Sequence, residues 1–380
     1  MLRTDPGLGR RIQLRQGLVW LAATQGDPYA ALLRGLDSEP HGHWRALAAE
    51  PLSRSATGDW VTARHAVAHA VRSEPALRGQ PLLEGLDGID EGSASRTETE
   101  VAGHAARAWD RVTARAADAA GVLDVVAVAR RAAVGTLARA WGLDDAGERA
   151  AHSAVELTAG ALDAPFYPQS LAVTRRIAGG AAALRALAPV GSRGLAFAMA
   201  GVPMATGLVA EAVVHCSALA AGPDGAGVWE RLRQEPEYGA RVVMETLRLA
   251  APAQLHAAVA DAPCDLAGLR IDAGDRVVVL VGAANRDPEA FTDPDRFDPG
   301  RAREESAPVL LPGLIRTPVL AFAVECAREG LCRLAARRPG PVTGPVRRTA
   351  APVSRSLVSC PARTTGHLSG PNEPSQEIET

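Results

Sequence analysis

The sequence Glu245-Thr-Leu-Arg248 decides the fold of this chain, together with two later stretches, Ala283-Ala-Asn-Arg-Asp-Pro288 and Asp293-Pro-Asp-Arg-Phe-Asp-Pro299. A spacing of three residues places Glu245 and Arg248 on the same face of a helix. The third stretch adds Arg296, whose guanidinium is predicted to complete a Glu–Arg–Arg network. Because buried charges this close together have to satisfy one another, the three stretches predict one structural network.

The rest of the chain predicts a mainly α protein with small β-sheets. Ala, Leu, Val and Arg recur at helical spacing through the first two-thirds, and residues 319–338 predict a last helix. Alternating apolar residues at 269–271 and 276–281 predict a β-hairpin around the turn between them. No change of composition marks a second domain, so residues 1–365 are predicted to form a single domain. The polar residues 366–380 are predicted to be a disordered tail.

Composition excludes several classes of function. The net charge is −2, from 41 basic and 43 acidic residues. This composition lacks the excess of basic residues that is typical of nucleic-acid-binding proteins. The five cysteines lack CxxC spacing, so free thiols in a reducing cytoplasm are expected. His41 and His43 have no ligand partners at metal-site spacing, and no metal is predicted. The apolar run 194–221 contains Glu211 and His215, which favours a buried helix over a membrane span.

The three quoted stretches resemble, in order and spacing, the motifs of the cytochrome P450 superfamily. That family carries an ExxR helix, an ANRDP strand exit and a PDRF segment, and the likeness here runs from about Pro236 to Arg301. The resemblance implies a triangular, mainly α fold with one small β-rich lobe. It also implies that Glu245, Arg248 and Arg296 form a structural triad that braces the frame behind the haem.

The haem ligand of that family has no counterpart in this sequence. P450s hold iron through a Cys thiolate in a loop of the form FxxGxxxCxG, which precedes a helix containing a Glu. The matching helix contains Glu325, and counting back about nine residues reaches Arg316, in a stretch without Cys. The nearest thiol, Cys326, follows Glu325 inside the helix. The sequence therefore predicts a P450 fold that is haem-free and has no cofactor.

Two further departures agree with that prediction. The oxygen-activating helix of P450s reads AGx(E/D)T, whereas residues 200–205 read AGVPMA, where Pro203 is predicted to kink the helix. P450s also place a basic residue after the ExxR helix to pair with a haem propionate. The matching position here is Ala257 or Ala258, with His256 as the only neighbour able to substitute. The thiolate, the proton relay and the propionate partner are all absent.

A second, narrower resemblance rests on the N-terminus: Gly7-Leu-Gly-Arg10, Gly17-Leu-Val-Trp20 and residues 26–35. These segments are similar to the P450-like auxiliary proteins of macrolide and polyketide antibiotic biosynthesis. The resemblance implies a non-catalytic protein that binds, stabilises and activates a glycosyltransferase, which attaches a TDP-deoxyaminosugar to a polyketide aglycone. It also implies a GT-B type partner that uses nucleotide-deoxysugars, in a heterotetramer containing two copies of each chain.

The same N-terminal segment, residues 7–36, is the predicted partner-binding region. Apolar and aromatic anchors surrounded by charged residues are typical of protein interfaces. The residues predicted to contact the partner are Arg11, Arg15, Leu18, Trp20 and Tyr29. The alternative is that the segment packs only on its own domain.

Two enzymatic alternatives remain open from the sequence. One is a sugar-nucleotide 3,4-isomerase acting on a TDP-4-keto-6-deoxyhexose, for which His215 and His256 are the available acid–base candidates. The other is a haem monooxygenase with an unusual iron ligand. An absorption spectrum tests for the haem monooxygenase. An activity assay of the protein without its partner tests for the isomerase.

Overall fold

The computed structural model describes most of the chain. The described residues are 7–35, 40–80, 94–116, 122–188, 191–222, 227–301, 318–337, 339–342, 344–349 and 351–364. The predicted tail, 366–380, and the loop around Arg316 lie outside them. The larger hydrophobic cluster extends from Val19 to Ala362, and a second, smaller one extends from Leu52 to Ala284. The extent of the single domain, residues 1–365, stays a prediction.

Helices dominate the described part of the chain, as predicted. They are α1 (Leu8–Thr24), α2 (Pro28–Leu33), α3 (His41–Leu47), α4 (His65–Ser73), α5 (Ala94–Ala116), α6 (Val125–Ala140), α7 (Asp145–Leu157), α8 (Leu171–Leu187), α9 (Gly191–Ala196), α10 (Val202–Ala221), α11 (Val228–Gln234), α12 (Pro236–Leu249), α13 (Val281–Ala284) and α14 (Pro318–Ala336).

The strands are short and form small sheets. They are β1 (Ser53–Arg54), β2 (Trp60–Thr62), β3 (Leu77–Gly79), β4 (Val122–Asp124), β5 (Leu255–Ala260), β6 (Cys264–Leu266), β7 (Leu269–Ile271), β8 (Arg276–Leu280), β9 (Pro339–Val342), β10 (Arg347–Arg348), β11 (Leu357–Ser359) and β12 (Pro361–Thr364). The mainly α fold with small β-sheets that the sequence predicted is confirmed.

The helical core is built around α10, which packs against α6, α12 and α14. The apolar run 194–221, which was predicted to be a buried helix, contains α10. Among the described residues, only the helical stretch Gly194–Ala221 is long and apolar enough to cross a bilayer, and most of it is buried in the protein. A π-helical turn, Phe197–Gly201, comes directly before α10. The wider turn accommodates Pro203, which has no N–H and whose ring would crowd the preceding turn of an α-helix.

The helices α5 and α14 approach one another closely at one glycine. A Cβ on Gly330 would lie 2.3 Å from Cζ2 of Trp109, so only glycine fits beneath that ring. The indole nitrogen of Trp109 donates a hydrogen bond of 3.0 Å to the carbonyl of Cys326. A fully buried tryptophan therefore has its polar atom satisfied, and it joins the two helices.

The largest sheet has the strand order β1-β2-β8-β5-β3, in which β2 and β8 are parallel and the other neighbours are antiparallel. The predicted hairpin between β7 and β8 is wrong, since β8 pairs with β5 and β2. Strand β7 pairs with β6 instead, through a turn in which Ala267 has φ 52° and Gly268 has φ 78°. Left-handed conformations at both central residues match the twist of a tight hairpin.

Candidate functional site

The guanidinium of Arg248 is the centre of a buried charged network. Its Nε and Nη2 donate to the two carboxylate oxygens of Glu245 at 2.9 and 2.8 Å. Its remaining N–H groups donate to the carbonyls of Asn285 at 2.8 Å, Pro294 at 2.6 Å and Arg296 at 3.0 Å. Arg248 is 0% exposed, and all five of its N–H groups have a partner.

Glu245 has a second cationic neighbour, and it differs from the one predicted. Nε of Arg301 lies 3.5 Å from Oε1 of Glu245, and the backbone N–H of Asp298 donates to the same oxygen at 3.0 Å. The side chain of Arg296 is exposed. Among the described residues, Arg248 and Arg301 are the arginines within ion-pair distance of Glu245, so the predicted pairing with the Arg296 guanidinium is corrected to Arg301.

The brace formed by Glu245, Arg248 and Arg301 joins three parts of the chain. It links α12 to the irregular segment that follows α13. The backbone carbonyls that accept from Arg248 belong to residues outside the regular helices and strands. Asp287, two residues after Asn285, extends the connection to α4 by accepting from the backbone N–H of His65 at 2.9 Å. These contacts connect α12 and α4 to the segment after α13. The bracing role of the triad stays a prediction.

The π-helical turn before α10, which contains the residues that correspond to the AG motif of P450s, packs against protein. A Cβ on Gly201 would lie 3.0 Å from Cδ1 of Phe322, a residue of α14. The Phe322 ring also packs edge-on against Phe197, with ring centroids 5.7 Å apart. Phe322 is 2% exposed and Met204 of α10 is 0% exposed. The described residues therefore do not fit a haem between α10 and α14.

The candidate partner of a haem propionate is also unsuitable. Ala257 and Ala258 are buried in β5 and carry no charge. Burial and, to a lesser extent, the nearby charge of Arg276 together lower the pKa of His256 to about 4. His256 is therefore neutral near pH 7 and cannot form an ion pair with a carboxylate.

The remaining candidate for an iron ligand, Cys326, faces the helical core. The pKa of its thiol is raised to about 12, because burial outweighs the lowering effect of a hydrogen bond with Thr136 of α6. A thiol with so high a pKa is not a thiolate near neutral pH, and the thiolate is the form that binds iron.

We expect the purified protein, and also the variant Arg316→Cys, to contain no haem. The substitution supplies a thiol at the predicted ligand position, but Phe322 still fills the space against Gly201. The measurement is the absorption spectrum after reduction under carbon monoxide, with and without added hemin. A thiolate–haem band in either protein would contradict this account of α10 and α14.

Helix α1 presents apolar side chains to solvent. Leu14 is 60% exposed, Leu18 is 65% exposed and Leu21 is 48% exposed, and their spacing places them on one face. Trp20, at 55% exposed, lies beside that face. Helix α1 is held on the protein by its opposite face, through Ile12, Val19 and Ala22, and Gln16 donates to the carbonyl of Pro168 at 2.7 Å.

The predicted contact residues of this region separate into two groups. Arg11, Arg15, Leu18 and Trp20 are exposed on α1, as a binding surface requires. Tyr29 is 0% exposed in α2, and burial raises the pKa of its hydroxyl. Its predicted role as a contact residue is therefore corrected to a core residue.

Two comparisons of sequence place the chain in a family. A family model described as Cytochrome P450 matches residues 224–313. The chain is 35% identical to "Cytochrome P450 family protein EryCII" of Saccharopolyspora erythraea, over 95% of this chain and 99% of that protein. This chain belongs to the cytochrome P450 family. It is also 33% identical to "Protein DesVIII" of Streptomyces venezuelae, over 95% of this chain and 94% of that protein. These matches confirm the predicted resemblance to the P450-like auxiliary proteins.

Solved P450 structures confirm the fold. The crystal structure of P450BioI in complex with hexadec-9Z-enoic acid ligated acyl carrier protein has a TM-score of 0.69 to this chain at 17% identity. The superposition covers 86% of this chain and 98% of P450BioI. The P450 frame is thus present although the residues at the haem face differ.

Sequence reasoning missed one buried ion pair in this P450 family member. Glu211 of α10 is 5% exposed, and its Oε2 accepts from Nη2 of Arg348 in β10 at 2.9 Å. The pair connects the central helix to the C-terminal strands. The signal available in the sequence was a glutamate in an otherwise apolar buried helix, since such a charge requires a partner.

Proposed function

We propose that this protein is a non-catalytic partner that binds, stabilises and activates a glycosyltransferase. The transferase attaches a TDP-deoxyaminosugar to a polyketide aglycone in antibiotic biosynthesis. The observation that carries the proposal is the combination of a complete Glu245–Arg248 brace with a haem face filled by Phe322. The P450 frame is retained while the place of its chemistry is closed, which supports a role through binding.

The proposed mechanism is stabilisation by mass action. A partner that binds only the active conformer of the transferase raises the population of that conformer. We propose a GT-B type transferase, two copies of each chain in a heterotetramer, and assembly in the cytoplasm. The nearly equal numbers of basic and acidic residues, 41 and 43, agree with a partner that is neither nucleic acid nor a membrane surface.

The surface proposed for the transferase is the exposed face of α1. Leu14, Leu18 and Leu21 form an apolar stripe, and Trp20 adds an aromatic anchor beside it. The exposed side chains of Arg10, Arg11 and Arg15 provide a basic rim. An apolar centre with a charged rim is the usual anatomy of an interface, and the complementary surface is an apolar groove with acidic residues at its edge.

The test is co-expression with candidate nucleotide-deoxysugar glycosyltransferases from the same organism. We expect the two chains to elute together in size-exclusion chromatography, and the purified transferase to lose activity when this protein is omitted. A transferase that is equally active and equally soluble without this protein would contradict the proposal. Light scattering of the complex measures the proposed stoichiometry.

The isomerase alternative receives no support from His256, one of its two candidate histidines. His256 is 4% exposed, and among the described residues its Nδ1 has no hydrogen-bond partner. A group sealed in the sheet cannot reach the carbonyl of a ketosugar. Incubating this protein alone with a TDP-4-keto-6-deoxyhexose is expected to leave the sugar unchanged.

A further inference from the structure

Helix α10 carries a stripe of two helix-disfavouring and two polar residues that neither the brace nor the α1 surface uses. Pro203, Gly207, Glu211 and His215 recur every four residues, so they lie along one side of the helix. Most of the other residues of α10 are apolar, and most of them are buried. A buried helix normally excludes such residues, which makes the stripe the side of α10 with a separate role.

The stripe lines a partly open cavity of about 160 Å³. The opposite wall includes Trp44, Gln254, Arg286 and Ser356, from parts of the chain that are distant in sequence. Gly207 leaves the space open, since a Cβ at that position would have no atom within 4 Å. The cavity is close in size to one that holds a small ring compound, of roughly 150 Å³.

The charges around the cavity leave an excess of positive charge. Glu211 is compensated by its two hydrogen bonds from Arg348. The Arg286 guanidinium lies over the Trp44 ring at 5.3 Å, and its Nε donates to Asp295 at 3.0 Å, whose side chain is 78% exposed. Nη1 of Arg286 donates to the carbonyl of Gly282 at 3.2 Å. Among the described residues Nη2 has no acceptor, so one donor of a mostly buried cation is available to a ligand.

His215 supplies a neutral hydrogen-bonding group at the same cavity. Its ring stacks on Phe297, with centroids 4.8 Å apart and an interplanar angle of 8°. Burial lowers the pKa of His215; Glu211 raises it, and the charges of Arg348 and Arg286 lower it. Within the described part of the chain, neither ring nitrogen of His215 is hydrogen-bonded to protein. An imidazole held in this way is oriented for a group that enters the cavity.

We propose that this cavity binds a small oxyanion, a carboxylate or a phosphate, through Arg286 and His215. The charge excludes amines, because Arg348 already neutralises Glu211 and Arg286 remains cationic. The volume admits a compound of a few heavy atoms and excludes an intact sugar nucleotide. The site is independent of the proposed glycosyltransferase surface, since it is built on α10 rather than α1.

The test is calorimetric titration of the full-length protein with inorganic phosphate and, separately, with acetate, at constant ionic strength. We expect saturable binding of at least one anion, and the two titrations distinguish a phosphate site from a carboxylate site. Arg286→Gln should weaken binding by about tenfold or more, because it replaces a charge-assisted hydrogen bond with a neutral one. Gly207→Leu should abolish binding by filling the cavity with little effect on folding, since its Cβ meets open space.

The matched control is Arg175→Gln, which removes one exposed arginine on α8 and changes the net charge equally. We expect it to bind the anion as the unaltered protein does. Equal anion binding by the unaltered protein and by the variants at Arg286, Gly207 and Arg175 would show that binding reflects the overall charge of the protein and not this cavity. That result would overturn the proposal. Absence of binding of both anions to the unaltered protein would overturn it as well. Circular dichroism of each variant verifies that the fold is retained.

Discussion

Replacing Glu245 with alanine is expected to lower the free energy of unfolding by about 3 kcal/mol or more. The change removes two hydrogen-bond acceptors from Arg248, which is 0% exposed and cannot recover them from water. A buried cation without its partner is costly, and the damage extends to the carbonyls that Arg248 holds in place. The measurement is urea-induced unfolding followed by circular dichroism.

The control for this experiment is Arg296→Ala. The side chain of Arg296 is exposed, and its connection to Arg248 is made by the main-chain carbonyl, which alanine retains. A loss below about 1 kcal/mol is therefore expected. Equal losses in Glu245→Ala and Arg296→Ala would contradict the assignment of Arg301 as the second cation at Glu245.

The second large effect is expected at α1. Leu18→Asp and, separately, Trp20→Ala should each weaken the complex with the glycosyltransferase by about 2 kcal/mol or more, roughly 30-fold in Kd. Both side chains are more than half exposed, so the free protein should remain folded. Replacing Arg11 and Arg15 together with Glu should slow association, since rim charges act mainly on the rate of encounter. Pull-down and surface plasmon resonance measure these effects.

A matched control for Leu18→Asp is Leu269→Asp, because Leu269 is a 40% exposed leucine in β7 rather than on α1. We expect normal binding and activation with this variant. Folded Leu18→Asp and Trp20→Ala proteins that still bind and activate the transferase would move the interface away from α1.

The brace was predictable from the sequence because its main contact is local. Arg248 follows Glu245 by three positions in the helix, and this spacing alone brings their side chains together. The second cation was not predictable, since Arg296 and Arg301 follow a turn in which Asp293 has φ 46°. The direction of a side chain after such a turn depends on backbone angles that the order of residues does not specify.

The apolar stripe of α1 shows a second limit of what sequence periodicity can predict. Leu14, Leu18 and Leu21 recur at helical spacing and so share one apolar face, but periodicity does not tell which face of a helix is covered. In the structure Val19 and Ala22 are buried and the leucines are exposed. Tightly packed small residues on the other side decide the orientation, and their contribution depends on the shape of the surface they meet.

Strand pairing was the part of the fold that sequence reasoning predicted incorrectly. The alternation at Leu269–Ile271 and Arg276–Leu280 identified both strands, yet the nearest strand was not the partner. The neighbours of β8 are β5 and β2, and β2 is more than two hundred residues earlier in the chain. Non-local pairing follows from burial of both faces of β8, which a local pattern does not contain.

The contact of Phe322 with Gly201 also bears on whether the amount of folded protein in the cell depends on haem. A haem enzyme gains folding free energy from its ligand, so its folded population depends on the concentration of free haem. Here Phe322 of the same chain packs on Gly201 and Phe197, and that stabilisation is intramolecular. The amount of folded protein should therefore be the same in iron-starved and iron-replete cells, and its abundance can follow that of the transferase alone.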